Sequence, residues 1–149
     1  MKKTILFIFT LMLSVNFLFA QENPVKWNYK AEKINDKEYT LIVEADIKDG
    51  WFVYSQFLES DDGPVRTTFD FSKNKNIELI GKNEESGGIK KIHDAVFDMN
   101  LIKFAHKAIF TQKIKVTGTV AEIKGTVEYM CCDDGMCLPP KQVPFSIKL

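Results

Sequence analysis

The sequence predicts an all-β protein built as an antiparallel sandwich of two sheets. Apolar and polar residues alternate with a period of two in most segments, as in strands with one buried face. Turn signals such as Asp49-Gly50 and Asp61-Asp62-Gly63-Pro64 separate short strand candidates. No window has the 3.6-residue periodicity of an amphipathic helix. Eight or more short strands at this spacing are typical of an immunoglobulin-like antiparallel β-sandwich.

The elements follow in order from these signals. Residues 25–31 alternate around Trp27 and Tyr29, and residues 39–47 place every second side chain, all apolar, on one face. Asp49-Gly50 then turns the chain into the aromatic strand Trp51–Tyr54. The later predicted strands are Thr67–Phe71, Ile77–Ile80, Phe97–Phe104, Ala108–Val116, Thr119–Ile123, Thr126–Cys132 and Val143–Leu149. Ser86-Gly87-Gly88 predicts a turn between two of them.

The N-terminus has the layout of a secretory signal peptide. Lys2 and Lys3 precede an almost wholly apolar stretch over residues 4–19, and Ala20 precedes a polar run. We expect cleavage after Ala20, which leaves one domain over residues 21–149 in the periplasm, where disulfides persist. The alternative is an uncleaved membrane anchor, because the apolar stretch of about 16 residues is only just shorter than the roughly 20 that a spanning helix needs. No later segment predicts membrane insertion.

The charge balance argues against two classes of partner. The whole chain has 20 basic and 20 acidic residues, and removal of Lys2 and Lys3 leaves 18 basic against 20 acidic. A slightly negative domain lacks the excess of positive charge with which proteins bind nucleic acid or anionic lipid. We expect a monomeric domain with one core.

All three cysteines lie in the segment YMCCDDGMCLPP at residues 129–140. The four residues between Cys132 and Cys137 include an Asp-Gly turn pair. Two antiparallel strands joined there would place Cys132 opposite Cys137, with Cα atoms about 4.5–5.5 Å apart, within disulfide range. A loop one residue longer would pair Cys131 with Cys137 instead. Alternation places Cys131 with Val127 in the core and predicts that the face of Cys132 is more exposed.

This segment resembles the active-site hairpin of the N-terminal periplasmic domain of DsbD, the thiol:disulfide interchange protein. The matching positions are Tyr129, Cys132, Cys137, Leu138, Pro139 and Pro140. Residues 49–54 and 143–147 also resemble that family, so the likeness spans about residues 25–149. It implies an immunoglobulin-like fold, no cofactor, and a thiol:disulfide oxidoreductase that relays electrons through a reversible Cys132–Cys137 disulfide.

The resemblance also implies partners and a protected site. The family's membrane and thioredoxin-like domains are not recognisable in the sequence, so we expect a separate donor, a thioredoxin-like protein or a membrane thiol reductase. The implied acceptors are oxidised periplasmic isomerases or cytochrome-maturation thioredoxins. The family's covering loop matches residues 83–88, which keep acidic residues but lack an aromatic. We therefore expect Tyr54, Phe97 or Met99 to shield the disulfide, with Tyr129 and Pro139 in support.

Two other interpretations compete with a relay. A purely structural disulfide would close a ring of only about six residues, which gives little chain-entropy stabilisation. A copper(I) carrier could use the cysteines, Met130 and Met136, with His93 and His106 as further ligands. The acidic pair Asp133-Asp134 disfavours a thiolate nearby, which suits a relay whose thiols react on docking.

Overall fold

The computed structural model describes residues 23–60, 62–94 and 97–149. The predicted signal peptide, residues 1–20, lies outside the described residues. Within these ranges, all of the regular secondary structure is β-strand. The strands are β1 (Val25–Lys33), β2 (Glu38–Ile47), β3 (Phe52–Tyr54), β4 (Thr68–Phe71), β5 (Ile77–Asp94), β6 (Met99–Val116), β7 (Glu122–Tyr129), β8 (Cys131–Cys132) and β9 (Lys141–Lys148).

The strands form two antiparallel sheets that enclose one main core. The first sheet has the order β1-β2-β6-β3-β8, with β5 also paired to β6, and the second has the order β4-β7-β9. Leu41, Phe110 and Phe145 are among the core residues, and all are buried. Burial of such alternating apolar faces is the main stabilising term for a sandwich of this kind. The predicted immunoglobulin-like β-sandwich is confirmed.

Two predicted breaks in the first sheet are wrong. The segments predicted as Phe97–Phe104 and Ala108–Val116 form the single strand β6, and the predicted turn at residues 86–88 lies inside β5. A register shift between Gly87 and Ile89 takes the place of the turn, and His106 opposite it has a φ of 63°. A Cβ atom on Gly88 would overlap the carbonyl oxygen of Ala105. These glycines therefore permit a bulge with close backbone approach.

A second apolar cluster lies on the other face of the first sheet. Val53 and Cys131 contribute to the main core, whereas their chain neighbours Tyr54 and Cys132 belong to this second cluster. Successive strand residues point to opposite faces, which explains the division. We call it the outer cluster, and its members are Tyr54, Leu58, Leu101 and Cys132, with Phe52, Phe97, Met99 and Met130 packed against them.

Candidate functional site

The hairpin after β8 contains a disulfide between Cys132 and Cys137. Their Cα atoms are 4.1 Å apart, and the two residues form an antiparallel bridge. The Asp133 carboxylate accepts hydrogen bonds from the N–H groups of Gly135 at 2.8 Å and Met136 at 2.7 Å. An aspartate that binds the backbone ahead of it in this way stabilises a tight turn. The predicted Cys132–Cys137 pairing is confirmed, and the Cys131–Cys137 alternative is wrong.

Cys131 is a free, buried thiol that faces the main core. It lies opposite Val53 in the β3–β8 pair. Burial raises the pKa of the Cys131 thiol to about 12, and the negative charge of Asp133 adds to this, while a hydrogen bond from the Phe52 backbone acts in the opposite direction. The Cys131 thiol therefore stays protonated at neutral pH and is a poor nucleophile.

The two cysteines of the disulfide differ in their exposure to solvent. Cys132 is only 1% exposed, whereas Cys137 is exposed on the hairpin. The prediction of a more exposed face holds for Glu128 and Met130, which are half-buried, but it is wrong for Cys132 itself, which packs in a cluster with Leu58 from the segment after β3. Exchange requires a thiolate to approach one sulfur directly, and of the two bonded cysteines Cys137 is the exposed one.

Aromatic side chains share the outer cluster with Cys132. Tyr54 is 1% exposed, and its ring centroid lies 5.7 Å from that of Phe52 and 6.3 Å from that of Phe97, both edge to face. Phe97 and Met99 are half-buried against the same outer cluster. Three residues expected to shield the disulfide thus share a cluster with Cys132, and their shielding effect stays a prediction.

Tyr129 and Pro139, expected to support the site, are not members of the outer cluster, and their support stays a prediction. Tyr129 is buried in the main core, where its ring centroid is 5.1 Å from that of Trp27. Pro139 is exposed beyond the hairpin. The Leu138 N–H between the hairpin and Pro139 donates to the Cys131 carbonyl at 2.9 Å, which ties the hairpin to β8.

Residues 83–88 do not form the expected covering loop, because they lie within β5. The Glu85 carboxylate there accepts hydrogen bonds from the Ser55 hydroxyl and, at 2.9 Å, from the Gln56 N–H. The Thr67 hydroxyl donates to the Tyr54 carbonyl at 2.6 Å. These bonds hold both ends of the segment that follows β3, and this segment contributes Leu58 to the outer cluster with Cys132. Glu85 is therefore bonded to the segment after β3, whereas its neighbour Glu84 is exposed.

Sequence reasoning missed a buried ion pair beside the outer cluster. The Lys103 ammonium donates to the Asp94 carboxylate at 2.9 Å, and both side chains are less than 10% exposed. The same ammonium lies 3.6 Å from the ring centroid of Phe52, which is opposite Cys132 in the β3–β8 pair. The one sequence signal was a lysine within the apolar stretch Leu101–Phe104.

The histidines lie apart from the cysteines. His93 contacts Asp98 at 3.2 Å and His106 contacts Asp49 at 3.1 Å, all on the exposed surface. Across residues 23–60, 62–94 and 97–149, no group of three or more His, Cys, Asp or Glu side chains could hold a metal ion. The same ranges contain no helix long and apolar enough to cross a membrane.

The comparison with protein families decides which family this hairpin belongs to. The family described as thiol:disulfide interchange protein DsbD, N-terminal, matches residues 19–148. The chain belongs to this family. The DsbD N-terminal family takes part in thiol:disulfide transfer, and the disulfide in the hairpin agrees with that general chemistry. A search of curated protein sequences gave no match.

Solved structures of the DsbD N-terminal family share the fold. The reduced DsbD N-terminal domain of Neisseria meningitidis is 17% identical with a TM-score of 0.58, and the match covers 84% of this chain and 85% of that one. The same organism's DsbD N-terminal domain in complex with the PilB N-terminal domain is 18% identical with a TM-score of 0.56, covering 88% of both chains. The N-terminal periplasmic domain of ScsB from Proteus mirabilis is 10% identical with a TM-score of 0.53, covering 83% of this chain and 45% of that one.

Proposed function

We propose that the protein is a periplasmic thiol:disulfide oxidoreductase that passes reducing equivalents between proteins through the Cys132–Cys137 disulfide. The observation that carries this proposal is a hairpin disulfide between one exposed and one buried cysteine. Such a pair gives an incoming thiolate one point of attack and keeps the second sulfur out of reach. A purely structural disulfide would stabilise the fold more if it joined distant strands, because a longer closed loop gives more stabilisation.

The electron transfer runs in two exchange steps. A donor thiolate attacks the sulfur of Cys137, the bond to Cys132 breaks, and Cys132 takes the electron pair as a thiolate. The donor's second thiolate then attacks the donor's own sulfur in the mixed disulfide and releases Cys137 as a thiolate. The donor leaves oxidised, and the hairpin holds two reduced cysteines that take up protons from water.

Delivery to an acceptor reverses this sequence. The Cys137 thiolate attacks the acceptor disulfide and forms a mixed disulfide, while the acceptor's other sulfur leaves as a thiolate. The Cys132 thiolate then attacks Cys137, which closes the hairpin disulfide and releases the reduced acceptor. Cys131 takes no part in either direction, because it faces the main core and remains protonated.

The proposed donor is a thioredoxin-like protein or a membrane thiol reductase, and the proposed acceptors are oxidised isomerases or cytochrome-maturation thioredoxins. The Neisseria domain that shares this fold forms a complex with the PilB N-terminal domain, which supports binding of another protein domain by a domain of this fold. The hairpin also offers apolar surface next to Cys137, since Met136 is 55% exposed. Methionine is enriched in protein–protein interfaces, so Met136 is suited to contact with a partner.

The periplasmic location is part of the proposal. It is supported by the signal-peptide pattern over residues 1–20 and by the periplasmic ScsB domain that shares the fold. We expect the exported protein to begin after Ala20, and mass determination of the protein recovered from a periplasmic extract tests the cleavage. A mass that still includes residues 1–20 would contradict it.

Exchange kinetics test the function. Oxidised protein should react much faster with a reduced thioredoxin-like protein than with glutathione, because docking supplies the reactivity. Cys137→Ala should abolish the reaction, and Cys131→Ala is the matched control that should retain it. If the thioredoxin-like protein and glutathione both reduced the disulfide equally slowly, the disulfide would be structural. Slow exchange combined with tight stoichiometric copper(I) binding would support a copper carrier.

A further inference from the structure

The buried Lys103–Asp94 pair has no evident purpose in stability. Taking two charges out of water costs free energy that their mutual attraction often fails to repay. The pair is nevertheless less than 10% exposed and lies beside the outer cluster that contains Cys132. Active sites often use burial and nearby charges to shift the pKa of a reactive side chain.

The strand order places Lys103 between Asp94 and the strand that holds Cys132. The strands run in the order β5, β6, β3, β8, with Asp94 on β5, Lys103 on β6 and Cys132 on β8. The Lys103 ammonium lies 3.6 Å from the ring centroid of Phe52 on β3. Phe52 is directly opposite Cys132, and opposite side chains in such a pair have Cβ atoms about 4.5–5.5 Å apart. One aromatic ring therefore separates the ammonium from the region of the Cys132 sulfur.

We propose that Lys103 is a positioning residue for the exchange reaction, whose ammonium stabilises the Cys132 thiolate that forms when the disulfide opens. This inference rests on the proposed function. When a donor thiolate attacks Cys137, Cys132 leaves with the electron pair into an apolar cluster. An anion in such surroundings is strongly disfavoured unless a cation lies nearby. The same ammonium keeps Cys132 available as a thiolate for the later attack that closes the disulfide.

Other charged groups near Cys132 act with or against Lys103. Asp94 opposes it: burial raises the pKa of Tyr54, and the negative charge of Asp94 adds to this, so the Asp94 carboxylate acts on the outer cluster. Asp133 and Asp134 flank Cys132 in the hairpin and also disfavour a thiolate. Lys90 on β5 is opposite Lys103 and lines the same cleft, so its positive charge acts in the same direction as that of Lys103.

A cleft of about 100 Å³ joins these groups to the hairpin. Phe52, Lys90, Lys103 and Asp134 are among the residues that line it. Of the two lysines there, Lys103 is the buried one, and its ammonium is the one that contacts the Phe52 ring. A charge that is buried is screened less by salt and water than one at the surface.

A comparison in an Asp94→Asn background isolates the effect. Replacing Lys103 alone would leave the buried Asp94 carboxylate without the Lys103 ammonium and could unfold the protein. Asp94→Asn should therefore be compared with the double variant Lys103→Met/Asp94→Asn, in which neither charge remains. Lys103→Arg retains the charge, and Lys113→Met removes one exposed charge from the same strand as a control.

The readout is the pH at which Cys132 becomes a thiolate. It is followed by ultraviolet thiolate absorbance in protein that also has Cys131→Ala and Cys137→Ser. Asp94→Asn should titrate below the parent, and adding Lys103→Met should raise the midpoint by about one pH unit, a tenfold loss of thiolate. With all cysteines present, Asp94→Asn should be reduced by a thioredoxin-like protein faster than the parent. Adding Lys103→Met should make this reduction slower. Lys103→Arg and Lys113→Met should titrate like the parent.

The possible failures are distinguishable. Equal midpoints for Asp94→Asn and the double variant would overturn the role of Lys103, even if the double variant were less stable. A parent protein that exchanges with no thioredoxin-like partner would overturn the proposed function instead. A midpoint that falls when Lys103 is removed would also contradict the inference, because it would give the ammonium the wrong sign.

Discussion

The chemical inertness of Cys131 can be worked out from its burial. Oxidised protein has one free thiol among its three cysteines, so its alkylation reports Cys131 alone. Burial raises the pKa of this thiol from the ordinary 9.0 to about 12. At pH 8 the thiolate population is then lower by about 1,000-fold. A more basic thiolate is a better nucleophile, with a coefficient of about 0.4–0.5, which recovers about 15–30-fold.

Alkylation of Cys131 should therefore be slower in the native protein than in urea by roughly 30–60-fold at pH 8. Steric protection by the main core adds to this factor. The native rate should rise about tenfold for each pH unit above 8, whereas the rate in urea should level off above about pH 9, because the unfolded thiol is by then ionised. Iodoacetamide labelling followed by mass spectrometry measures both rates. Native and denatured rates within threefold of each other would refute the reasoning.

Three further changes test the site and its support. Phe97→Ala should speed the non-specific oxidation of the reduced protein several-fold with little change in the urea midpoint, whereas unchanged oxidation with a large loss of stability would contradict shielding. Gly88→Ala should lower the free energy of unfolding by about 1–3 kcal/mol, because the new Cβ overlaps the Ala105 carbonyl; an unchanged urea midpoint would contradict this. Asp133→Ala should destabilise the oxidised protein by about 1–2 kcal/mol through loss of two hydrogen bonds, and Asp133→Asn, which retains an acceptor, should cost less. Equal losses for both Asp133 variants in urea unfolding would rule out this role of the side chain.

The features that depend on neighbouring residues were predictable from the sequence. The Cys132–Cys137 pairing depends on a turn of four residues whose aspartate and glycine favour it. The core position of Cys131 depends on alternation along one short strand. Both predictions are confirmed because the deciding interactions lie within a few residues of the cysteines.

The features that depend on distant segments were not predictable in the same way. Alternation placed Cys132 on the more exposed face because it cannot show that Leu58, more than seventy residues earlier, packs in the same cluster as Cys132. The Lys103–Asp94 pair needs the β5–β6 register, which pairs Lys103 with Lys90 and brings Asp94 close. The glycines at residues 86–88 predicted a turn, yet the same backbone freedom serves a bulge when a long strand lies alongside.

The central claim is that electrons enter through the exposed Cys137 and that the buried Cys132 is the leaving group. Oxidised protein should be mixed with a thioredoxin-like protein that has only its attacking cysteine, then quenched with acid and a thiol-blocking maleimide. Proteolysis before Asp133 separates the peptides of Cys132 and Cys137 for mass spectrometry. We predict that the partner cysteine is joined to the Cys137 peptide and that the maleimide is on Cys132. A partner joined mainly to Cys132 would contradict the account.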